Sequence, residues 1–143
     1  MAGTVKANSY THTGLQSGTT YYYYVTATNS AGESGQSSAV SAATKVAVPA
    51  TPTGVSASLT KSSSPFEIRV SWNAVAGATS YEVRRRVEPG SWQSDTFTIS
   101  GQTYMYWSNL LLTNTSYKFQ VRAKNSAGVS AWSAESKGVV TPK

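Results

Sequence analysis

With 143 residues, of which 39% are hydrophobic, 11% aromatic and only 13% charged, the chain is long enough for one domain or two small ones with a sizeable core. It has no cysteine, so a disulfide framework and a thiolate metal site are excluded and the redox compartment stays open. The net charge of +6 invites a nucleic-acid reading, but no Lys/Arg-rich arm or recognised motif accompanies it, and nucleic acid is not expected as a partner.

Taken in chain order, the opening MAGTVKANSY lacks the apolar centre of a signal peptide. No apolar run approaches the ~20 residues of a membrane helix, so membrane insertion is not expected. His12, the single histidine, lies in a Thr-rich stretch with no second His nearby and reads as a surface residue; no metal or cofactor is expected. Four tyrosines follow. In a strand successive side chains face opposite sides, so Tyr21, Tyr23 and Val25 share one face and Tyr22, Tyr24 and Thr26 the other.

After VAVPATPTG, a Pro-punctuated linker, VSASL alternates, and FEIRVSW turns Phe66, Ile68, Val70 and Trp72 inward and Glu67, Arg69 and Ser71 outward. A turn through NAVAGATS leads to YEVRRR, with Tyr81 and Val83 inward. After Pro89-Gly90 come SWQSDTFTIS and TYMYWSNLL. The last long strand buries Tyr117, Phe119, Val121 and Ala123 and exposes Lys118, Gln120, Arg122 and Lys124. About seven short strands separated by turns, with no helix-period run, predict an all-β sandwich. Trp72, Tyr81, Val83, Leu111, Tyr117, Phe119 and Val121 are its expected core.

Part of the chain recurs. Leu15 precedes Tyr21 by six residues as Leu111 precedes Tyr117, and Asn29-Ser30-Ala31-Gly32 returns as Asn125-Ser126-Ala127-Gly128, each pair 96 residues apart. That period suits a whole sandwich domain and exceeds a solenoid unit. Only fourteen residues precede Leu15, too few for a first half. Residues 1–47 are therefore expected to hold a partial copy of what residues 48–143 contain.

The Pro-rich entry Pro49 to Val55, Trp72, Tyr81-x-Val83, and Leu111 with Tyr117 ahead of Val121-Arg122-Ala123-x-Asn125-x-x-Gly128 resemble the fibronectin type III domain. The resemblance covers nearly the whole chain. It implies an immunoglobulin-like sandwich with structural roles for Trp72, Tyr81, Leu111 and Tyr117, the last two forming a tyrosine corner between strands E and F. It makes residues 1–47 the strands E, F and G of a partial domain. It also implies a non-catalytic spacer, adhesion or assembly module of a larger secreted or cell-surface protein. The Ser/Thr/Ala/Gly-rich, cysteine-free style is similar to that of bacterial secreted polysaccharide-degrading enzymes and surface proteins. Where the family binds integrins through Arg-Gly-Asp, this chain has NSAGVSAW, which excludes that route. Ala131-Trp132-Ser133 is similar to half of a cytokine-receptor Trp-Ser box, without the second Trp.

One constellation suits a ligand. Strand C is expected to expose Glu82, Arg84 and Arg86, its expected neighbour F exposes Lys118, Gln120, Arg122 and Lys124, and Trp92 and Trp132 are expected on the flanking strands C′ and G. Such a face could hold a polyanion, or a polysaccharide stacking on indole, as in an accessory domain of a polysaccharide-degrading enzyme. The same residues could instead pack as cation–π pairs that only stiffen the sheet. A second candidate surface is Leu15, Tyr21, Tyr23 and Val25, an uncovered core face available to a protein partner or to self-association. Catalysis is not expected: Glu67, Glu82, Glu88, Asp95 and Glu135 suggest no facing pair, His12 is the only possible histidine base, and neither Gly-x-Ser-x-Gly nor a phosphate-binding loop occurs. Asn114-Thr115-Ser116 fits the N-glycosylation pattern and reads as chance.

Overall fold

The structure, a computed structural model, describes residues 3–93 and 96–143; Asp95 lies outside them. The chain divides into two compact units, residues 1–47 and 48–143.

The first unit contains β1 (Thr20–Tyr23), β2 (Thr28–Asn29), β3 (Gly32–Glu33) and β4 (Val40–Ala43). β2 and β3 form a hairpin with Thr28 opposite Glu33. Asn29 Oδ1 accepts the Ala31 N–H at 2.8 Å, and Gly32 closes the turn at φ 138°, where a side chain would be strained. β1 and β4 pair antiparallel, Tyr21 opposite Ala42 and Tyr23 opposite Val40. The expected strand E is not formed: residues 3–19 contain no strand. In the second unit that strand is held by a neighbour, and among the described residues of the first unit there is none to pair with it. His12 departs from the surface reading as well. It is half-buried, its ring 5.8 Å from those of both Tyr21 and Tyr23, with Nδ1 3.1 Å from the Tyr23 hydroxyl.

The second unit contains β5 (Ser56–Lys61), β6 (Glu67–Ser71), β7 (Ser80–Glu88), β8 (Phe97–Ser100), β9 (Tyr104–Trp107), β10 (Ser116–Asn125), β11 (Gly128–Val129) and β12 (Val139–Val140). They form two sheets, one ordered β5-β6-β9 and the other β11-β10-β7-β8 with β12 also on β10. The alternation read from the sequence decides what lies between them. Ile68, Val70 and Trp72 of one sheet meet Tyr81, Val83, Tyr117, Phe119, Val121 and Ala123 of the other, joined by Met105 and Trp107. Leu111 is only half-buried and packs on the margin of this core. Burying such side chains contributes about 1.5–3 kcal/mol each.

The tyrosine corner is present twice. Tyr117, fully buried, accepts the Leu112 N–H at 2.7 Å, and Tyr21, half-buried, accepts the Gln16 N–H at 3.0 Å. The repeat extends to the last strand. Ala123 N–H donates to Ser130 Oγ at 2.9 Å while Ser130 N–H donates to the Ala123 carbonyl. Ala27 and Ser34 make the same two bonds in the first unit. Val121 with Ser133, and Val25 with Ser37, repeat them again.

Candidate functional site

The outer face of β7 and β10 gathers the basic and tryptophan side chains. Their ladder sets Lys118 opposite Arg86, Gln120 opposite Arg84 and Arg122 opposite Glu82. Side chains directly opposite on one face of an antiparallel pair interact. The two tryptophans reach this face from outside the expected flanking strands. Trp92 sits on an isolated bridge to Arg86 ahead of β8, and Trp132 lies in the irregular stretch between β11 and β12. The Pro89-Gly90 turn carries Trp92 back to a bridge with Arg86 of β7, and the bonds of Ser130 and Ser133 to β10 hold Trp132 beside that strand.

The result is an alternating stack. The Arg84 guanidinium lies 4.6 Å from the Trp92 ring centre and 4.2 Å from that of Trp132, and the Arg122 guanidinium lies 4.5 Å from the Trp132 ring centre. Gln120 Oε1 accepts from Arg84 Nε at 3.0 Å and Nη2 at 2.6 Å, and its own Nε2 donates to the Ser133 carbonyl at 2.7 Å. Burial and the neighbouring Arg122 charge push the Arg84 pKa down. Desolvation strengthens the attraction of a guanidinium for an indole face, so the stack fixes Arg84 without a carboxylate.

The other cations are paired. Arg122 meets Glu82 at 2.6 Å and Lys124 meets it at 3.5 Å. Burial raises the Glu82 pKa, but the hydrogen bond and charge of Arg122, then those of Lys124, hold it below the ordinary carboxylate value. Further along, Lys118 bonds Glu88 at 2.8 Å and Glu135 at 3.4 Å, and Arg86 bonds Glu135 at 2.9 Å and Glu88 at 3.6 Å. The hydrogen bonds of Lys118 and Ser116 lower the Glu88 pKa, and that of Arg86 lowers the Glu135 pKa. Glu135 lies three residues after Trp132. It is the carboxylate that sequence pairing of C with F alone does not place here, and the three-residue repeat of Ser130, Ser133 and Ser136 was the signal for it. Five cations thus share the face with three carboxylates.

Arg85, one of three consecutive arginines, points the other way. It is buried, donates to the carbonyls of Asn109 and Leu110 at 3.0 and 3.3 Å, and stacks 4.9 Å from Trp107 and 5.6 Å from Tyr117. The inward alternation Tyr81, Val83, Arg85 was visible in the sequence. Leu110 sits at φ 54°, so Arg85 and the Tyr117 hydroxyl together hold the loop before β10.

The first unit lacks this stack, because the positions matching Lys118, Gln120 and Arg122 are Tyr22, Tyr24 and Thr26. Of the association surface read from the sequence, Leu15, Tyr21 and Tyr23 are half-buried and Val25 is 71% exposed. Among the described residues no group of three or more His, Cys, Asp or Glu side chains could hold a metal ion. Glu67 accepts from Thr60. No helix of the described residues is long and apolar enough to cross a membrane.

Residues 50–139 match the family model of the fibronectin type III domain. No curated protein matches the chain. Among solved structures, the FN1–FN3 domains of chicken CNTN1 are 28% identical with a TM-score of 0.57, covering 90% of this chain and 44% of that one. An Fn3-like protein from Clostridium thermocellum is 32% identical with a TM-score of 0.53, covering 68% of this chain and 97% of that one. Crystallised titin domains are 26% identical with a TM-score of 0.56, covering 85% of this chain and 41% of that one. The chain therefore spans less than half the length of the contactin and titin structures it matches. Domains of this kind are generally non-catalytic, occur as modules of larger proteins and are common in extracellular or surface proteins. With the paired sheets, the corner tyrosine and the matched span in agreement, this chain belongs to the fibronectin type III domain family.

Proposed function

We propose that the chain is a non-catalytic extracellular module that spaces and assembles the parts of a larger secreted or cell-surface protein. The observation that carries this reading is the outer face of β7 and β10. Its arginines and tryptophans contact one another, its remaining cations contact Glu82, Glu88 and Glu135, and a ligand would have to displace those partners. Exposed ion pairs of this sort are individually weak and exposed cation–π contacts are worth about 0.5–1 kcal/mol each, but together they stiffen the sheet. The protein partner is assigned to the first unit. Comparing the solution molar mass of the full chain with that of a version starting at Val48 tests the assembly role, which requires the full chain to be the larger species by more than its extra residues.

A second reading is favoured by the surplus of two cations and by the half-buried, not closed, setting of Trp92 and Trp132: a polysaccharide or polyanion accessory domain acting through Arg84, Arg86, Trp92, Lys118, Arg122, Lys124 and Trp132. Retention on heparin and on neutral glucans separates the two. Saturable retention abolished by Arg84→Glu with Arg122→Glu would replace the spacer reading by this one.

A further inference from the structure

The two sheets of the second unit treat charge on their outer faces in opposite ways. On β7 and β10 the cations rest against carboxylates, indoles or Gln120. On β5, β6 and β9 the side chains that alternate with the buried Ile68, Val70, Met105 and Trp107 include Ser56, Ser58, Arg69, Ser71, Tyr104 and Tyr106. The register sets Ser58, Arg69 and Tyr106 in one row and Ser56, Ser71 and Tyr104 in the next, a patch about 10 Å across its three strands.

The donors of this patch are unspent. Among the described residues no carboxylate pairs with Arg69 and nothing accepts from its guanidinium. Glu67, two residues away on the same strand, is held instead by the Thr60 hydroxyl at 2.8 Å. What positions Arg69 is the Tyr104 ring, whose centre lies 4.9 Å from the guanidinium carbon; a contact of this kind holds a cation without using its N–H groups. Tyr106 packs edge-on against Tyr104 at 5.9 Å, and the two are 50% and 36% exposed. The hydroxyls of Ser58, Tyr104 and Tyr106 make no hydrogen bond among the described residues, while Ser56 and Ser71 bond each other at 2.9 Å.

The chemistry of the patch selects its ligand. β6 is laddered to β5 on one side and β9 on the other, so its backbone is spent and an extended peptide finds no edge to join. Recognition falls to ring faces, hydroxyls and one fork of N–H donors. Tyrosine offers an apolar face with a polar tip, which suits a sugar ring with its C–H face and rim of hydroxyls. A guanidinium matches the two oxygens of a planar carboxylate. Densely sulfated chains and nucleic acids gain from several cations at once, and these two rows hold a single guanidinium.

We propose that the outer face of β6 and β9 binds an acidic polysaccharide built of uronic acids, Arg69 taking the carboxylate of one sugar while Tyr104 and Tyr106 carry the ring faces and Ser58 and Ser71 meet the hydroxyls. The site shares no residue with the face of β7 and β10 and stands apart from the assembly role.

The test is retention of the full chain on immobilised polygalacturonate, on its methyl ester, which keeps the sugar and removes the charge, and on dextran sulfate. The expected result is saturable retention on polygalacturonate, weaker retention on the other two, and affinity lowered about tenfold or more by Arg69→Gln and by Tyr106→Ala. Equal retention on the ester overturns the role of the carboxylate, and stronger retention on dextran sulfate overturns the choice of a uronic acid. Retention lost in Arg84→Glu with Arg122→Glu but kept in Arg69→Gln moves the site to the other sheet and overturns the proposal, as does no retention at all. Should a variant fail to fold, nuclear magnetic resonance titration of the unmodified chain with trigalacturonate decides: shifts centred on Ser58, Arg69 and Tyr106 are required, and their absence overturns the site.

Discussion

Replacing Tyr117 by Phe and, separately, Tyr21 by Phe removes the same oxygen from the same motif in two settings. Tyr117 is fully buried and its Oη accepts the Leu112 N–H at 2.7 Å. Phe keeps the ring contacts but leaves that N–H without its acceptor at a part-buried site. An unsatisfied buried group costs about 1–3 kcal/mol, and the loop is also held by Arg85, so about 1–2 kcal/mol is expected. For a unit of this size that is a fall in Tm of about 5–15 °C. Tyr21 is half-exposed and its partner Gln16 is exposed, so water replaces the hydroxyl and the cost stays below about 0.5 kcal/mol. The readout is clean because all four tryptophans lie in the second unit. Denaturant unfolding followed by tryptophan fluorescence should shift to a lower midpoint for Tyr117→Phe and stay in place for Tyr21→Phe. A Tyr117→Phe midpoint equal to that of the parent, with the Leu112 amide still protected from exchange, would refute the assignment of stability to this bond.

Trp72→Ala removes a buried indole that packs 5.3 Å from the Tyr81 ring and should cost about 3–5 kcal/mol; an unchanged denaturant midpoint would show that the inward phase of the second strand is wrong. Arg84→Ala removes both ring contacts and the Gln120 bonds, and about 1–2 kcal/mol should disappear from the same transition, with no change in the first unit. The carboxyl pKa values of Glu82, Glu88 and Glu135 are held below the ordinary value, so their contribution is fully present above the unfolded glutamate value of about 4.3 and is lost as pH falls through the lower folded values. Thermal unfolding between pH 7 and pH 3 should show Tm falling at the acid end of this range, and Glu82→Gln should flatten the fall; a Tm independent of pH there would contradict the pairing.

Strand phase was legible because the contrast between faces is strong where one side is core and the other is charged, as in Tyr117, Phe119 and Val121 against Lys118, Gln120 and Arg122. The same rule placed Phe66, Ile68, Val70 and Trp72 inward. It said less about residues 3–19, where no strand formed, since pairing depends on a neighbour that alternation within the segment does not encode. His12 looked like surface for the same reason. Its ring fills space against Tyr21 and Tyr23, a contact between positions eleven and nine residues away that no local period predicts. The candidate site was half legible: the opposing arginines and lysines follow from pairing C with F, whereas the partners that hold them come from a segment with a different period.

That segment explains why the outer face contains a stack rather than an open groove. A strand in the last position would expose alternate residues, but Ser130, Ser133 and Ser136 recur every three, and each hydroxyl accepts a β10 amide while the serine's own N–H returns to the same residue's carbonyl. A three-residue period is that of the polyproline II helix, which makes no hydrogen bonds of its own, so the side chains do the pairing that a strand's backbone would do. Trp132 and Glu135, also three apart, are thereby delivered to the outer face one after the other, the indole in contact with Arg84 and Arg122 and the carboxylate with Arg86 and Lys118. In the first unit Ser34 and Ser37 make the same backbone bonds, but the matching outward positions are Gln36 and Ala39 and the facing strand offers Tyr22 and Tyr24. The serine spacing sets the geometry in both units, and the residues between the serines decide whether the outer face closes on itself as a stack.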